Sequence, residues 1–403
     1  MSDGGLSKRR LERIGEVLSG YAERGDVPGF VSLVARRGEV HTEAFGTLSI
    51  GDTARVERDT IFRVASMTKP VVAAAAMILV EECALRLREP VDRLLPELAD
   101  RRVLRALDGP VDDTVPANRP ITVEDLLTFR SGYGMVMQAP NSTPIQRALA
   151  ERGFPQGPPH PSQVPAPDEW IATLQPIPLL HQPGEQWTYN TASDILGVLV
   201  ARAAGEPLET FLDERLFAPL GMKDTAFSVP ADKLDRFTTS YATDSSGGLR
   251  VYDEAAGGEW ATPPAFASGA GGLVSTVDDF LAFGRMLLAG GTHDGTRILS
   301  RPSIELMTTD RLTAAQKGAT SWYPPDYFEN HGWGFGMSVV TRRTDIFEPI
   351  GRYGWDGGLG TLWHCAPSEN MIDILLTNSA FTSPEPPLIF RDFWTLAYQA
   401  IDD

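Results

Sequence analysis

The stretch "FRVASMTKPVVAAAAMILV", residues 62–80, sets a serine at the head of an apolar run and a lysine three positions later. Of the 36 lysines and arginines in the chain only five are lysine, so an amine at Lys69 stands where arginine is the default cation. The run reads as a helix from about Ser66 to Leu87. Pro70 is compatible with it, because the first N–H groups of a helix have no intrahelical acceptor. Residues three apart share one helix face, which puts Ser66 one turn from Lys69. A hydroxyl becomes a good nucleophile when a base takes its proton, and a buried lysine sheds its charge where a guanidinium does not. The positive end of the helix dipole favours both the neutral amine and a developing oxyanion. The same two residues also read as a helix cap and a surface lysine. Against that, a cation in the first turn opposes the dipole.

Working outward, residues 6–24 carry Leu11, Ile14, Val17 and Leu18 at helical spacing. "GFVSLVARRGEVHTEAFG" (29–46) shows two β-type runs around Arg37-Gly38, a hairpin signal. From about 88 to 255 the chain is rich in Arg, Asp and Pro, with helical pieces in "TVEDLLTF" and "ASDILGVLVARAAG". Between them lies a proline-dense loop, "GFPQGPPHPSQVPAPDEW" (153–170), placed to exclude water or to shape a pocket. "TVDDFLAFGRMLLAGG" is a helix ended by glycines. β patterns return in "GWGFGMSVVTR", "GTLWHCA" and "MIDILLTN", before a last helix in "PPLIFRDFWTLAYQAI". This order predicts an α+β fold, an antiparallel sheet flanked by helices whose first and last segments meet. Residues 1–87 and 256–403 are expected to form an α/β domain, with 88–255 as an inserted, mainly helical domain and the active site between them.

A formal net charge of −17 disfavours nucleic acid and anionic membranes as partners. The longest apolar run, "PVVAAAAMILV", is too short to cross a bilayer. The N-terminal "MSDGGLSKRRLERIGEVL" has an amphipathic pattern and no apolar core of an export signal. Cys83 and Cys365 are expected as free thiols in a reducing cytoplasm. The six histidines show no H-E-x-x-H spacing, so neither metal nor cofactor is expected. G-x-S-x-G is absent as well.

"SMTK" (66–69) resembles the S-x-x-K of the penicillin-recognising serine hydrolases, which comprise class C β-lactamases, DD-peptidases and family VIII carboxylesterases. "PGEQWTYNTASDILGVLVARAAG" (183–205) resembles the segment that carries their catalytic tyrosine, here Tyr189. Its spacing to Ala192, Asp194 and Gly197 is closer to the esterase and nylon-oligomer-hydrolase branch. Thr191 stands where the lactamases usually have asparagine, and Asn190 comes one residue early. "LLTFRSGYG" (126–134) and "SGAGGLVSTVDDFLAFGRMLLAGG" (268–291) are similar to segments of that branch, and "GWDGGLGTLW" (354–363) resembles the strand that bears Lys-Thr-Gly in β-lactamases. The resemblance implies a β-lactamase/transpeptidase-like fold, Ser66 as nucleophile, and Lys69 and Tyr189 as proton carriers. It also implies an oxyanion hole from the backbone N–H groups of Ser66 and Gly358. Trp355, Asp356 and Gly357 would run along the substrate, and Tyr133 would belong either to the pocket or to the core. A phenol beside a lysine ammonium is expected to be held toward its phenolate form. The glycines of "GAGGLVST" read as loop structure.

One departure bears on the substrate. Where β-lactamases place Lys-Thr-Gly to grip a substrate carboxylate, this chain has Trp355-Asp356-Gly357. Losing such contacts costs about 1.5–3 kcal/mol each. Asp356 would repel an anion if it faced the pocket. The expected partner is therefore a small-molecule ester or amide, neutral or cationic, and the expected activity is that of a carboxylesterase or related acyltransferase. A β-lactamase or DD-peptidase and an inactive scaffold on the same fold are the alternatives. The sequence leaves oligomeric state open.

Overall fold

The structure, a computed structural model, describes residues 4–154, 157–320, 326–383 and 385–403. Pro155 and Gln156 of the proline-dense loop lie outside the described residues. Helix α1 (Lys8–Glu23) leads into a hairpin of β1 (Gly29–Arg36) and β2 (Glu39–Gly46). Its two-residue turn has φ of 49° at Arg37 and 90° at Gly38. Two positive φ values match the right-handed twist of the paired strands.

After the apolar helix α2 (Thr68–Glu81) come α3 (Thr191–Ala204) and α4 (Val277–Leu288). Five more strands follow: β3 (His331–Trp333), β4 (Ser338–Val340), β5 (Tyr353–Gly357), β6 (Thr361–Ala366) and β7 (Met371–Thr377). Helix α5 (Leu388–Gln399) closes the chain. The seven strands form one antiparallel sheet in the order β3-β4-β5-β6-β7-β1-β2. β1 pairs with β7 from Phe30↔Thr377 to Arg36↔Met371, so the first and last segments of the chain do meet.

Both faces of this sheet are covered, which is why β1 and β7 are buried along their whole length. Side chains of a strand alternate between faces. Val31, Leu33, Trp363, Ile372, Ile374 and Leu376 enter the large core shared with α2 and α4. Phe30, Val34, Leu362, Met371 and Leu375 enter a second core against α1 and α5. We call these the front and the back of the sheet.

Among the described residues, the stretch from 88 to 255 holds α3, several short helices and two small hairpins, at 102–116 and 240–253. Backbone contacts tie this stretch to the rest of the chain: Gly336 N–H donates to Leu127, Ala226 bridges to Val274, Ile61 N–H donates to Arg236, and Tyr241 N–H donates to Asn378. The buried Arg63 draws Asp253 inward as its carboxylate partner. Cys83 and Cys365 are both free thiols. No helix among the described residues is long and apolar enough to cross a membrane.

Candidate active site

The expected long helix is split at its head. Residues 65–67 form a single 3-10 turn, and α2 runs only from Thr68 to Glu81. Ala65 has φ of 43°, a conformation that costs about 1–3 kcal/mol for a residue with a Cβ. The following turn is held by Thr68, whose hydroxyl donates to the Ala65 carbonyl at 2.7 Å. Within residues 60–79 every side chain is buried except Ser66, which retains partial exposure. The sharp turn thus lifts one hydroxyl out of an otherwise sealed segment.

Lys69 is fully buried. Its Nζ donates to Ser66 Oγ at 2.9 Å and to the Ala270 carbonyl at 2.5 Å, and it lies 4.6 Å from the centroid of the Tyr189 ring. Burial brings the amine down to about 7, against an opposing pull from the charge of Asp194. Desolvation is the cause that lowers this pKa. Asp194 is a residue to which the sequence assigned no role. It is half-buried, accepts from Ser268 Oγ at 2.7 Å and from Ala270 N–H at 3.0 Å, and has its carboxyl raised by desolvation. The glycine segment 268–272 does more than close a loop: it supplies the carbonyl that holds Lys69. A Cβ on Gly269 would stand 2.4 Å from the Ser193 carbonyl, so this close approach to α3 requires glycine.

Tyr189 immediately precedes α3 and is followed by Asn190 at φ 87°. Its carbonyl accepts from Met135 N–H at 2.9 Å, and Thr188 N–H donates to Phe129 at 2.8 Å, so the 126–135 segment frames it. The phenol packs among Phe129, Trp187 and Trp355, with centroids 5.7–6.0 Å away. Trp355 Nε1 donates to the Tyr189 hydroxyl at 2.7 Å. Burial raises the phenol above its ordinary value, and hydrogen bonds with Ser66 and Trp355 only partly offset this. The expected drift toward phenolate is thus reversed, because desolvation in an aromatic box dominates.

On β5 the pleat separates two neighbours. Tyr353 and Trp355 belong to the front core, whereas Asp356 pairs across the sheet with Leu362 of the back core. Asp356 therefore leaves the pocket face, and its Oδ1 lies 3.6 Å from His364 Nε2. The expectation that it contacts substrate is corrected by strand alternation. Gly357 ends the strand where a Cβ would stand 2.3 Å from the Val64 carbonyl, so only glycine lets β5 approach the turn of Ser66. Gly358 follows with open space at its Cβ position, and its carbonyl accepts from Phe381 N–H at 2.9 Å. Tyr133 does not join this group. It is buried, and its hydroxyl is occupied by Arg101 and by the carbonyls of Leu174 and Ile177, which places it in the core. No cluster of His, Cys, Asp and Glu suited to a metal occurs among the described residues.

The chain matches the family model described as "Beta-lactamase" over residues 14–391. It is 43% identical over 362 residues to "Protein Rv1367c" of Mycobacterium tuberculosis (strain ATCC 25618 / H37Rv), covering 88% of this chain and 86% of that one. It is 30% identical over 384 residues to "Esterase EstB" of Burkholderia gladioli, covering 89% and 88% respectively. Among solved structures, "EstCE1, a hydrolase with promiscuous acyltransferase activity" superposes with a TM-score of 0.77 at 24% identity, covering 97% of this chain and 99% of that one.

Proposed function

The chain belongs to the Beta-lactamase family, and from that premise we propose that it is a serine carboxylic ester hydrolase forming an acyl-enzyme on Ser66. One observation carries the reading: a fully buried amine lies 2.9 Å from a partly exposed serine hydroxyl, and burial lowers the amine's pKa. As Ser66 Oγ attacks the acyl carbon, its proton passes to the neutral Lys69. The backbone N–H groups of Ser66 and Gly358 hold the oxyanion. Tyr189, uncharged at neutral pH, donates its proton to the departing alkoxide and recovers one from the Lys69 ammonium. Water then attacks the acyl-enzyme with Lys69 again as base. An alcohol in place of water yields acyl transfer from the same intermediate.

The relative EstB is named an esterase, which agrees with small esters as substrates. Trp355 offers no charge to a substrate carboxylate, and Asp356, turned to the back of the sheet, neither attracts nor repels one directly. Small neutral esters are therefore favoured over penicillins, on the missing cation alone.

The test is intact-mass spectrometry with a fluorophosphonate. One covalent adduct is expected, and it disappears in Ser66→Ala. Hydrolysis of p-nitrophenyl butyrate should rise with pH through a midpoint near 7: Lys69 is protonated below its lowered pKa and becomes a base above it. A parallel arm with an added alcohol acceptor measures acyl transfer. No adduct on the native protein, or faster turnover of a cephalosporin than of the butyrate ester, would sink the proposal.

A further inference from the structure

The described C-terminal part of the proline-dense loop is pinned down at several points. Glu259 reaches it with both carboxylate oxygens: Oε1 stands 2.8 Å from His160 Nδ1. Oε2 accepts from Ser162 N–H at 2.9 Å and from Ser162 Oγ at 2.7 Å. The Tyr252 hydroxyl donates to the Pro159 carbonyl, and its ring lies 5.2 Å from that of His160. Glu259 is fixed from behind as well. Its backbone N–H donates to Asp253 Oδ1 at 2.6 Å, and Asp253 is the partner of buried Arg63, three residues before Ser66. A single polar chain thus runs from the strand that feeds the nucleophile to the segment Pro159–Ser162.

The other side of this segment borders the reaction centre. A Cβ on Gly271 would stand 3.6 Å from Pro159 Cγ and 3.8 Å from the Ala65 carbonyl carbon. Ala65 precedes the nucleophile, and Ala270, before Gly271, holds Lys69. The Pro159 ring is therefore separated from the catalytic turn by the space of one small side chain. Phe154 and Phe266 both pack on Trp170, at 5.5 and 4.8 Å between centroids, which anchors the base of the loop.

We propose that Pro159–Ser162 is the wall that limits the size of the acyl group next to Ser66, and that Glu259 is the positioning residue that clamps this wall. The proposal rests on the serine-esterase reading and adds its size selectivity. A carboxylate that holds the Ser162 N–H, the Ser162 hydroxyl and an imidazole at once ties the loop at three points, because bonds to an ionised acceptor are short and directional. Burial pushes the Glu259 carboxyl up, but the bonds from His160 and Ser162 outweigh it and keep the group below its ordinary value and charged.

The test compares kcat/KM for p-nitrophenyl acetate with that for the bulky p-nitrophenyl 2,2-dimethylpropanoate, together with hydrogen exchange over residues 157–164. Glu259→Ala should raise the bulky-to-small ratio about tenfold, the scale on which a pocket discriminates a few methyl groups, and should speed exchange in the loop. Glu259→Gln, whose amide oxygen still accepts from Ser162, should fall between. Gly271→Ala adds a methyl at ordinary contact distance from Pro159 and Ala65 and should lower the ratio. Faster exchange with an unchanged ratio overturns the wall, and unchanged exchange overturns the clamp. A native protein inert to every ester and to the fluorophosphonate removes the esterase reading and the wall with it. An active enzyme with flat selectivity removes only the wall.

Discussion

Trp355 and Asp356 are neighbours on one strand, yet they face opposite sides of the sheet with different electrostatics. On the front, Lys69 is buried with a hydroxyl and a carbonyl as its bonded partners and forms no ion pair among the described residues. On the back, Arg352 is equally buried but bonded to Asp373 at 2.8 Å, with the rings of Trp394 and Tyr398 at 5.1 and 5.8 Å. Burial alone would lower the Arg352 pKa, yet the charge of Asp373 more than compensates and leaves it raised. His364, close to both Asp373 and Asp356, is pushed well below its ordinary value by burial and stays neutral. An amine buried with no carboxylate bonded to it is drawn toward its neutral form and can act as a base, whereas a guanidinium buried against one stays charged and inert. Reactivity here comes from charge that the fold declines to compensate.

The strongest challenge to that contrast is Lys69→Arg, which keeps a cation at the site but removes the base. Acylation measured in single turnover should fall on the order of 10⁴-fold; a variant with near-native acylation would show that a neutral amine is not required. Next, Asp373→Ala strands Arg352 on the back face. Urea unfolding should show a loss of about 3–5 kcal/mol, with kcat/KM of the remaining folded enzyme close to native. A stability loss well under that range would mean water reaches Arg352 and that the back is less sealed than the geometry indicates. The smallest effect belongs to Trp355→Phe, which keeps the ring and deletes the N–H given to Tyr189. It should lower kcat about fivefold to tenfold, the worth of one hydrogen bond, with KM little changed. A change in KM without one in kcat would assign Trp355 to substrate binding instead.

Much of this was legible in one dimension. The 29–46 hairpin announced itself by two β-type runs around Arg37-Gly38, and α5 by its helical pattern, because local signals survive into the fold. Ser66, Lys69 and Tyr189 could be singled out by motif, and the structure brings them within contact of one another. The part of Asp194 was hidden, since a lone aspartate in a helix pattern looks solvated until its bond with the Ala270 N–H is seen. The face taken by Asp356 was hidden too. A strand pattern gives the alternation, but the register against β6 decides which side is the pocket. Tyr133 shows the same limit: its distance from the chemistry depends on Arg101, Leu174 and Ile177, which are far from it in the chain.

By itself, then, the sequence determined where the chain can be helical or extended and which residue types were available for proton transfer, because propensity, periodicity and spacing are local properties. Only the tertiary structure decided the protonation states: Lys69 brought down and Tyr189 pushed up both follow from removing water around them. That removal is the joint act of α2, α3, β5 and the 268–272 segment, which meet at the site from positions scattered along the chain. A pKa records the solvation of a finished interior, and no single stretch of residues contains that information.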